Sequence, residues 1–240
     1  MEDIQDLLRR EVEHVGWIGP HHPPQGRLRH AQLVQALAEA WLGGGKGAQN
    51  LVFLTVGTGI GAGIIAAGRL ISGARGVAGA AGWLVTESEW RAEFGRVGCL
   101  EFHGAGPAVA RGAAKALRAD PRSLVKRLAA QQQGKITAEI VTAAARRGDA
   151  TARRVLKEVG TNLGRGVASI ICLLNPEVVV LGGGLAGAGE FILRSLRRAV
   201  LKWGQPLASR QVRIVRSRLG ANAGILGAAR YAFIKLEEKP

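Results

Sequence analysis

Cysteine, aromatic residues, acidic residues and long apolar runs are all scarce in this chain. Two cysteines in 240 residues, Cys99 and Cys172, cannot build a disulfide framework, and a reduced cytoplasm is the expected compartment. No uninterrupted apolar run approaches the roughly 18 residues a membrane helix needs, so no membrane partner is expected. The opening MEDIQDLLRREVEHV is acidic and amphipathic, unlike a secretory leader. Acids are outnumbered, 18 Asp and Glu against 33 Lys and Arg, for a net charge of +15. That balance could serve nucleic acid or an anionic cofactor. Yet the basic residues are spread along helical stretches such as ARRGDATARRVLK and LRSLRRAVLKWG, mixed with acids. With aromatics at 5% for base stacking, and neither a recognition-helix pattern nor a zinc finger, solvated helix faces are the expected role and nucleic acid is not.

What is present is a globular composition, 47% hydrophobic and 21% charged, with 35 glycines. Residues 2–15 carry Ile4, Leu7, Leu8, Val12 and Val15 at a helical period, and GPHHPPQGRLRH after them reads as loop. A helix is predicted from Ala31 to Leu42, then a buried strand LVFLTVG and a second, GAGIIAAGRLI, joined as a hairpin. GARGVAGAAGW is too glycine-rich for a long helix, and LVTESEWRAEFGRVGCLEF has no clear period. Helices are predicted from Pro107 to Leu117, Pro121 to Gln131, over ITAEIVTAAARRGD, and from Asp149 to Leu174, the last stopped by Asn-Pro. A strand EVVVLGGG, a helix Glu190 to Trp203, a strand QVRIVRS and a helix Ala221 to Leu236 complete an α/β alternation.

Two glycine loops carry the candidate chemistry. The first, GTGIG, places Gly57, Thr58, Gly59 and Gly61 at a hairpin tip. It is not a P-loop, since no Gly-Lys-Ser/Thr follows at the required spacing. Nor does it open a helix, as a dinucleotide fingerprint must. Successive glycines in a turn can still form an anion-binding nest of backbone N–H groups, with the Thr58 hydroxyl at the tip. The second loop, Gly182, Gly183 and Gly184, leaves the carboxyl end of a buried strand, where α/β sheets place ligands. Either alone reads equally well as an ordinary tight turn; together they favour a nucleotide.

The stretch ALAEAWLGGGKGAQNLVFLTVGTGIGAGIIAAGRLISGARGVAGAAGW closely resembles the core of the ROK family of repressors, unassigned reading frames and sugar kinases. LLNPEVVVLGGGLAGAGEFIL and LGANAGILGAARYA resemble its C-terminal half, and the likeness runs in order from Ala31 to Phe233. The resemblance implies the actin-like ATPase (ribonuclease H-like) fold, with two lobes closing on ATP with Mg2+ and a hexose. It makes GTGIG the second phosphate loop and sets Gly182 to Gly184 beside the adenosine.

The same resemblance exposes departures. Family kinases transfer phosphate from ATP to a sugar hydroxyl with a carboxylate base in an Asn-Asp-x-Asn string. Counting back from Glu39 without gaps puts Ala31 at that aspartate, His30 before it and Leu33 at the second asparagine; a one-residue slip would offer His30 instead. Loss of such a base costs about 10²–10⁴ in rate. The family string AGEIGH is AGAAGW here, so Ala80 and Trp83 replace a glutamate and a histidine that grip sugar hydroxyls, and only Glu101 matches a family sugar contact. Glu101 reads equally well as a surface or capping residue. The family's structural zinc uses that histidine and three cysteines; here Ala92 and Phe94 stand at two of them and only Cys99 remains. His21 and His22, in a Pro-rich loop, do not replace them. No zinc is expected.

No Asp-x-Gly-Gly-Thr first phosphate loop occurs. The expected organisation is a segment without family character at 1–30, from an internal start or a shifted reading frame, a remnant of the N-terminal lobe and junction at 31–49, and a nucleotide-binding C-terminal lobe at 50–240. The expected function is that of a ROK-type sugar kinase, of glucokinase or N-acetylhexosamine class, that binds nucleotide without turnover. The alternatives are a fragment of a sugar-responsive regulator, for whose winged helix-turn-helix residues 1–30 leave no room, and a non-catalytic partner of a complete homologue or of its own copies.

Overall fold

The run LVFLTV is apolar on both faces, and a strand with no polar face must be covered on both sides. In the computed structural model, which describes residues 27–237, it forms β1 (Leu51–Val56) at the centre of a five-stranded sheet. The remaining strands are β2 (Ile60–Ala66), β3 (Arg69–Leu70), β4 (Val178–Gly182) and β5 (Arg213–Arg216), in the order β3-β2-β1-β4-β5. β1, β2 and β3 form an antiparallel meander, whereas β1, β4 and β5 run parallel. The predicted second strand is thus two, folded back at Ala67 and Gly68, both at positive φ.

Alternate residues of the central strands feed two cores. Leu51, Phe53, Val178 and Val180 face a thin layer of two helices, α1 (Arg27–Trp41) and the last helix of the chain, Ala223–Glu237, meeting Ala36 and Leu37. Val52, Leu54, Val56, Val179 and Leu181 face a thick layer. That layer comprises α2 (Phe94–Val97), α3 (Cys99–Gly104), α4 (Gly106–Ala116), α5 (Leu124–Ala130), α6 (Ala138–Arg146), α7 (Ala150–Leu174), α8 (Glu190–Trp203) and α9 (Pro206–Gln211); the final helix is α10. The arrangement is a helix–sheet–helix sandwich, as the alternating pattern predicts.

Local chemistry sets the helix ends. Asp149 caps α7 by accepting from Ala152 N–H at 2.7 Å, and its other oxygen accepts from Leu124 N–H and Ser123 Oγ at the start of α5. This shared cap starts α5 at Leu124, three residues later than Pro121, because Ser123 takes the N-cap and accepts from Val125 N–H. At the far end of α7, Asn175 adopts the left-handed conformation with φ 42° and Pro176 follows. The helix α9 was not foreseen, since QPLASRQ holds a single turn's worth of signal. It begins with Pro206 in its first turn, where the missing N–H costs nothing. The helix predicted at residues 2–15, the loop after it, His21, His22 and the side chain of His30 lie outside the described residues. Among the described residues, no helix is long and apolar enough to cross a membrane.

Candidate functional site

Because β1 and β4 are parallel neighbours with Thr55 opposite Gly182, the two glycine loops leave the sheet side by side at its carboxyl edge. They also touch. Gly183 has φ +83°, and a Cβ built on it would lie 2.4 Å from the Val56 carbonyl oxygen. A glycine is required there on both counts: the left-handed φ and the lack of space. Gly57 and Gly184, in contrast, face open space, with nothing within 4 Å of a Cβ added to either. Their bare backbone lines a cradle that side chains would fill, although the Gly57 N–H itself donates to the Gly59 carbonyl at 2.9 Å. The Gly57 carbonyl accepts from Gly106 N–H at 2.7 Å, tying the first turn of α4 to this loop, while Thr58 is exposed at the tip. Gly59 and Gly61 continue the hairpin into β2.

Glu101 stands behind the hairpin. Its Oε2 accepts from Ile60 N–H at 2.7 Å, and a Cβ on Gly59 would meet that oxygen at 2.9 Å. Burial pushes the carboxyl above its usual range, a shift that the Ile60 hydrogen bond opposes without cancelling. Glu101 is half-buried, and its carboxylate bonds to the hairpin. The 3₁₀ turn Ala81–Trp83 lies against the same carboxylate, since a Cβ on Gly82 would fall 3.0 Å from Oε2. Ala80 is exposed, and Trp83 keeps 53% of its surface in solvent. The Gln32 side chain lies along Gly61, so Ala31 begins the described part of the same wall and Leu33 is buried beneath it. Glycine hairpin, Ala80–Trp83 turn, Glu101 and the start of α1 thus converge. No side chain there holds a carboxylate at position 31 or an acid or imidazole at positions 80 and 83.

Three features escaped sequence reading. Glu39 is wholly buried; its Oε2 accepts from Gly44 N–H at 2.8 Å and its Oε1 from Ser217 Oγ. Ser217 N–H donates to the Leu181 carbonyl at 2.8 Å, so this carboxylate fastens α1 to the strand ends beside the second glycine loop. The signal available was a glutamate flanked by the apolar residues of ALAEAWL and followed by three glycines. Arg216 leaves β5 next to Gly189 and lines an apolar hollow with Gly182 and Leu185. Finally, a cleft of about 970 Å³ runs along α7 between Thr86, Glu158, Arg165 and Trp203; none of the glycine-loop residues lines it. Among the described residues, no three His, Cys, Asp or Glu side chains group as metal ligands.

The sequence profile of the ROK family matches residues 28–234. The glucokinase of Thermotoga maritima is 37% identical over 194 residues, covering 80% of this chain and 61% of its own length. The crystal structure of a ROK family glucokinase from Streptomyces griseus, in complex with glucose and AMPPNP, superposes with a TM-score of 0.74 at 29% identity, over 85% of this chain and 67% of that one. A ROK family transcriptional regulator, a homologue of the E. coli MLC protein, superposes with a TM-score of 0.76 at 28% identity, over 85% of this chain and 50% of that one. The chain spans about three fifths of the length of the glucokinases of Thermotoga maritima and Halalkalibacterium halodurans.

Proposed function

The chain belongs to the ROK family and has its actin-like ATPase fold, and from that premise we propose that it binds ATP with Mg2+ at the paired glycine loops without phosphorylating a sugar. The observation that carries this reading is the register of β1 and β4, which brings Gly57–Gly61 and Gly182–Gly184 to one edge with Gly57 and Gly184 open to a ligand. In this reading residues 50–240 act as the nucleotide-binding lobe and 31–49 as its junction, in the cytoplasm. Thr58 Oγ1 and the loop N–H groups hold phosphate oxygens. Mg2+ is carried largely by those phosphates and by water, which asks few ligands of the protein. When bound, the nucleotide would supply the transferable phosphoryl group.

Turnover needs a group to accept the sugar hydroxyl's proton, and Ala31 supplies none. It also needs contacts that hold the sugar in line, and neither the Ala80 methyl nor the Trp83 indole accepts a hydroxyl proton. Among the described residues Glu101 is the carboxylate at that wall, and its Oε2 already accepts from Ile60. A hexose therefore meets a site with little to orient it.

Equilibrium binding of MgATP and MgAMPPNP, run beside a coupled assay for ADP release with glucose or N-acetylmannosamine, tests both halves. The expected result is saturable nucleotide binding and no sugar-dependent ADP. Absence of nucleotide binding removes the first half; hexose-dependent ADP release removes the second. A second reading, a regulatory or non-catalytic partner of a complete homologue, is favoured by the likeness to the ROK regulator and the +15 charge. A shift of specific duplex DNA that weakens steeply with salt would move the assignment there.

A further inference from the structure

The segment from Trp83 to Gly104 occupies the place where the family resemblance implies a zinc staple, and its side chains do not fit one. At the four corresponding positions, Trp83 presents an indole N–H, which donates hydrogen bonds and does not ligate metal. Ala92 carries no donor atom, and Phe94 is a phenyl ring only 3% exposed. Cys99 alone brings sulfur, and its Sγ is buried against Thr86, 3.4 Å from both the backbone nitrogen and Oγ1. Structural zinc takes four ligands, and one thiol cannot supply them.

We propose that this segment is fastened by a metal-free aromatic knot centred on Phe94, which positions the Glu101 carboxylate against the glycine hairpin. The Phe94 ring makes edge-on contacts with three others: Trp90 at 6.0 Å, Phe102 at 5.4 Å and His103 at 5.5 Å between centroids. Phe102 and His103 meet edge to face at 5.1 Å, so the three rings of Phe94, Phe102 and His103 touch mutually. Such T-shaped pairs align ring edges with ring faces and carry orientation as well as burial. Two charged groups close the knot. Glu87 accepts from Arg91 at 2.9 Å and lies 2.7 Å from His103 Nε2, tying the irregular stretch 84–93 to α3. The Arg111 guanidinium sits 4.1 Å over the Phe102 ring and donates to the Phe102 carbonyl.

The consequence for the site follows from adjacency along α3. Phe102 and His103 succeed Glu101 directly, so the rings that lock α3 also set where the carboxylate points. Its target, the Ile60 N–H, is the first amide of β2 after the glycine turn. A chain that had lost its metal ligands without replacement would leave this segment loosely held. Here Phe94 stands at a position that resembles a cysteine ligand and serves as the centre of the packing that does the same work.

The test uses the full chain and three readouts: bound metal by elemental analysis, thermal unfolding with and without EDTA, and hydrogen exchange of the Ile60 amide. The expected protein contains far less than one zinc per chain, and EDTA leaves Tm and Ile60 exchange unchanged. Phe94→Ala lowers Tm by about 10 °C and speeds Ile60 exchange about tenfold, with zinc restoring neither. Glu101→Gln speeds Ile60 exchange while leaving the Tm near that of the parent, which separates loss of the contact from loss of the knot. If Phe94→Ala does not fold, Trp90→Ala and Glu87→Gln carry the test at the rim, each with a smaller increase in exchange. One zinc per chain together with a Tm that EDTA lowers would overturn the proposal, as would folded knot variants whose Ile60 amide exchanges at the parent rate. None of these outcomes depends on nucleotide binding.

Discussion

The carboxyl edge of the sheet and the wall formed by α1, the Ala80–Trp83 turn and Glu101 lie against the same hairpin, yet they have kept very different amounts of chemistry. The edge is made of backbone. It is defined by the φ of Gly183, the register of Thr55 against Gly182, and the open space over Gly57 and Gly184. The wall works through side chains, and the positions that resemble its base and sugar ligands carry Ala31, Ala80 and Trp83. A backbone site is tied to the fold, because the same geometry that would hold an anion also joins strands to turns. A side-chain site can be emptied one residue at a time while the fold stands. The difference teaches that shared ancestry of a fold guarantees the first kind of site better than the second.

The largest expected effect comes from breaking the edge. Gly183→Val sets a β-branched side chain at φ +83° and 2.4 Å from the Val56 carbonyl, and should cost about 3 kcal/mol or more. Denaturant unfolding will show the loss, and on the reading proposed above the variant's affinity for MgATP falls by more than about tenfold. An unchanged Tm and unchanged binding would mean that the two loops do not pack as described.

Asp149→Ala is a control that alters no residue of either region. It removes a cap shared by α5 and α7 and should cost about 2 kcal/mol. Burial raises the Asp149 carboxyl, but hydrogen bonds from Ala152, Leu124 and Ser123 outweigh it and hold the group below its usual range. Its stabilisation is therefore present above the unfolded value near 3.8 and lost as pH falls through the lowered value. The variant's deficit should shrink on acidification, with nucleotide affinity untouched at neutral pH; altered affinity there would tie the capping network to the edge.

The smallest effect sharpens the wall. Glu101 is shifted the opposite way: burial raises its carboxyl despite the Ile60 hydrogen bond. The folded protein then holds this proton more tightly than the unfolded chain. Stability attributable to the protonated group is full below the unfolded value near 4.5 and declines as pH rises through the higher folded value. Glu101→Gln should flatten that decline in a urea titration run at a series of pH values. An unaltered pH profile would show that the carboxyl is not held as placed here.

Much of this was legible without coordinates, and for identifiable reasons. LVFLTV and EVVVLGGG announce buried strands because runs of β-branched and apolar residues have no other stable arrangement, and the 3.6-residue period of ATARRVLKEVGTNLGRGVASIICLL marks α7 almost to the residue. Helix α9 and the break between β2 and β3 were not legible, because a single turn or a two-residue strand carries too few residues to show a period. Among functional residues, the glycine loops could be picked out from local spacing. Glu39 and Ser217 could not be paired, standing 178 positions apart along the chain. The family resemblance singled out Glu101, but not its bond to Ile60.

By itself, the amino-acid order determined the alternation of strands and helices, the two glycine turns, and the absence of a carboxylate at position 31 and of zinc ligands at positions 83, 92 and 94. These are properties of neighbours along the chain or of side-chain identity. Only the tertiary structure decided that the two turns emerge from adjacent parallel strands, that Glu101 faces an amide of the hairpin, that Glu39 reaches Ser217, and that Phe94 gathers the rings of Trp90, Phe102 and His103. Each of these is a meeting of residues distant in sequence or a choice among rotamers. Such meetings are set by the burial of both faces of one sheet, a constraint that acts on the whole chain at once.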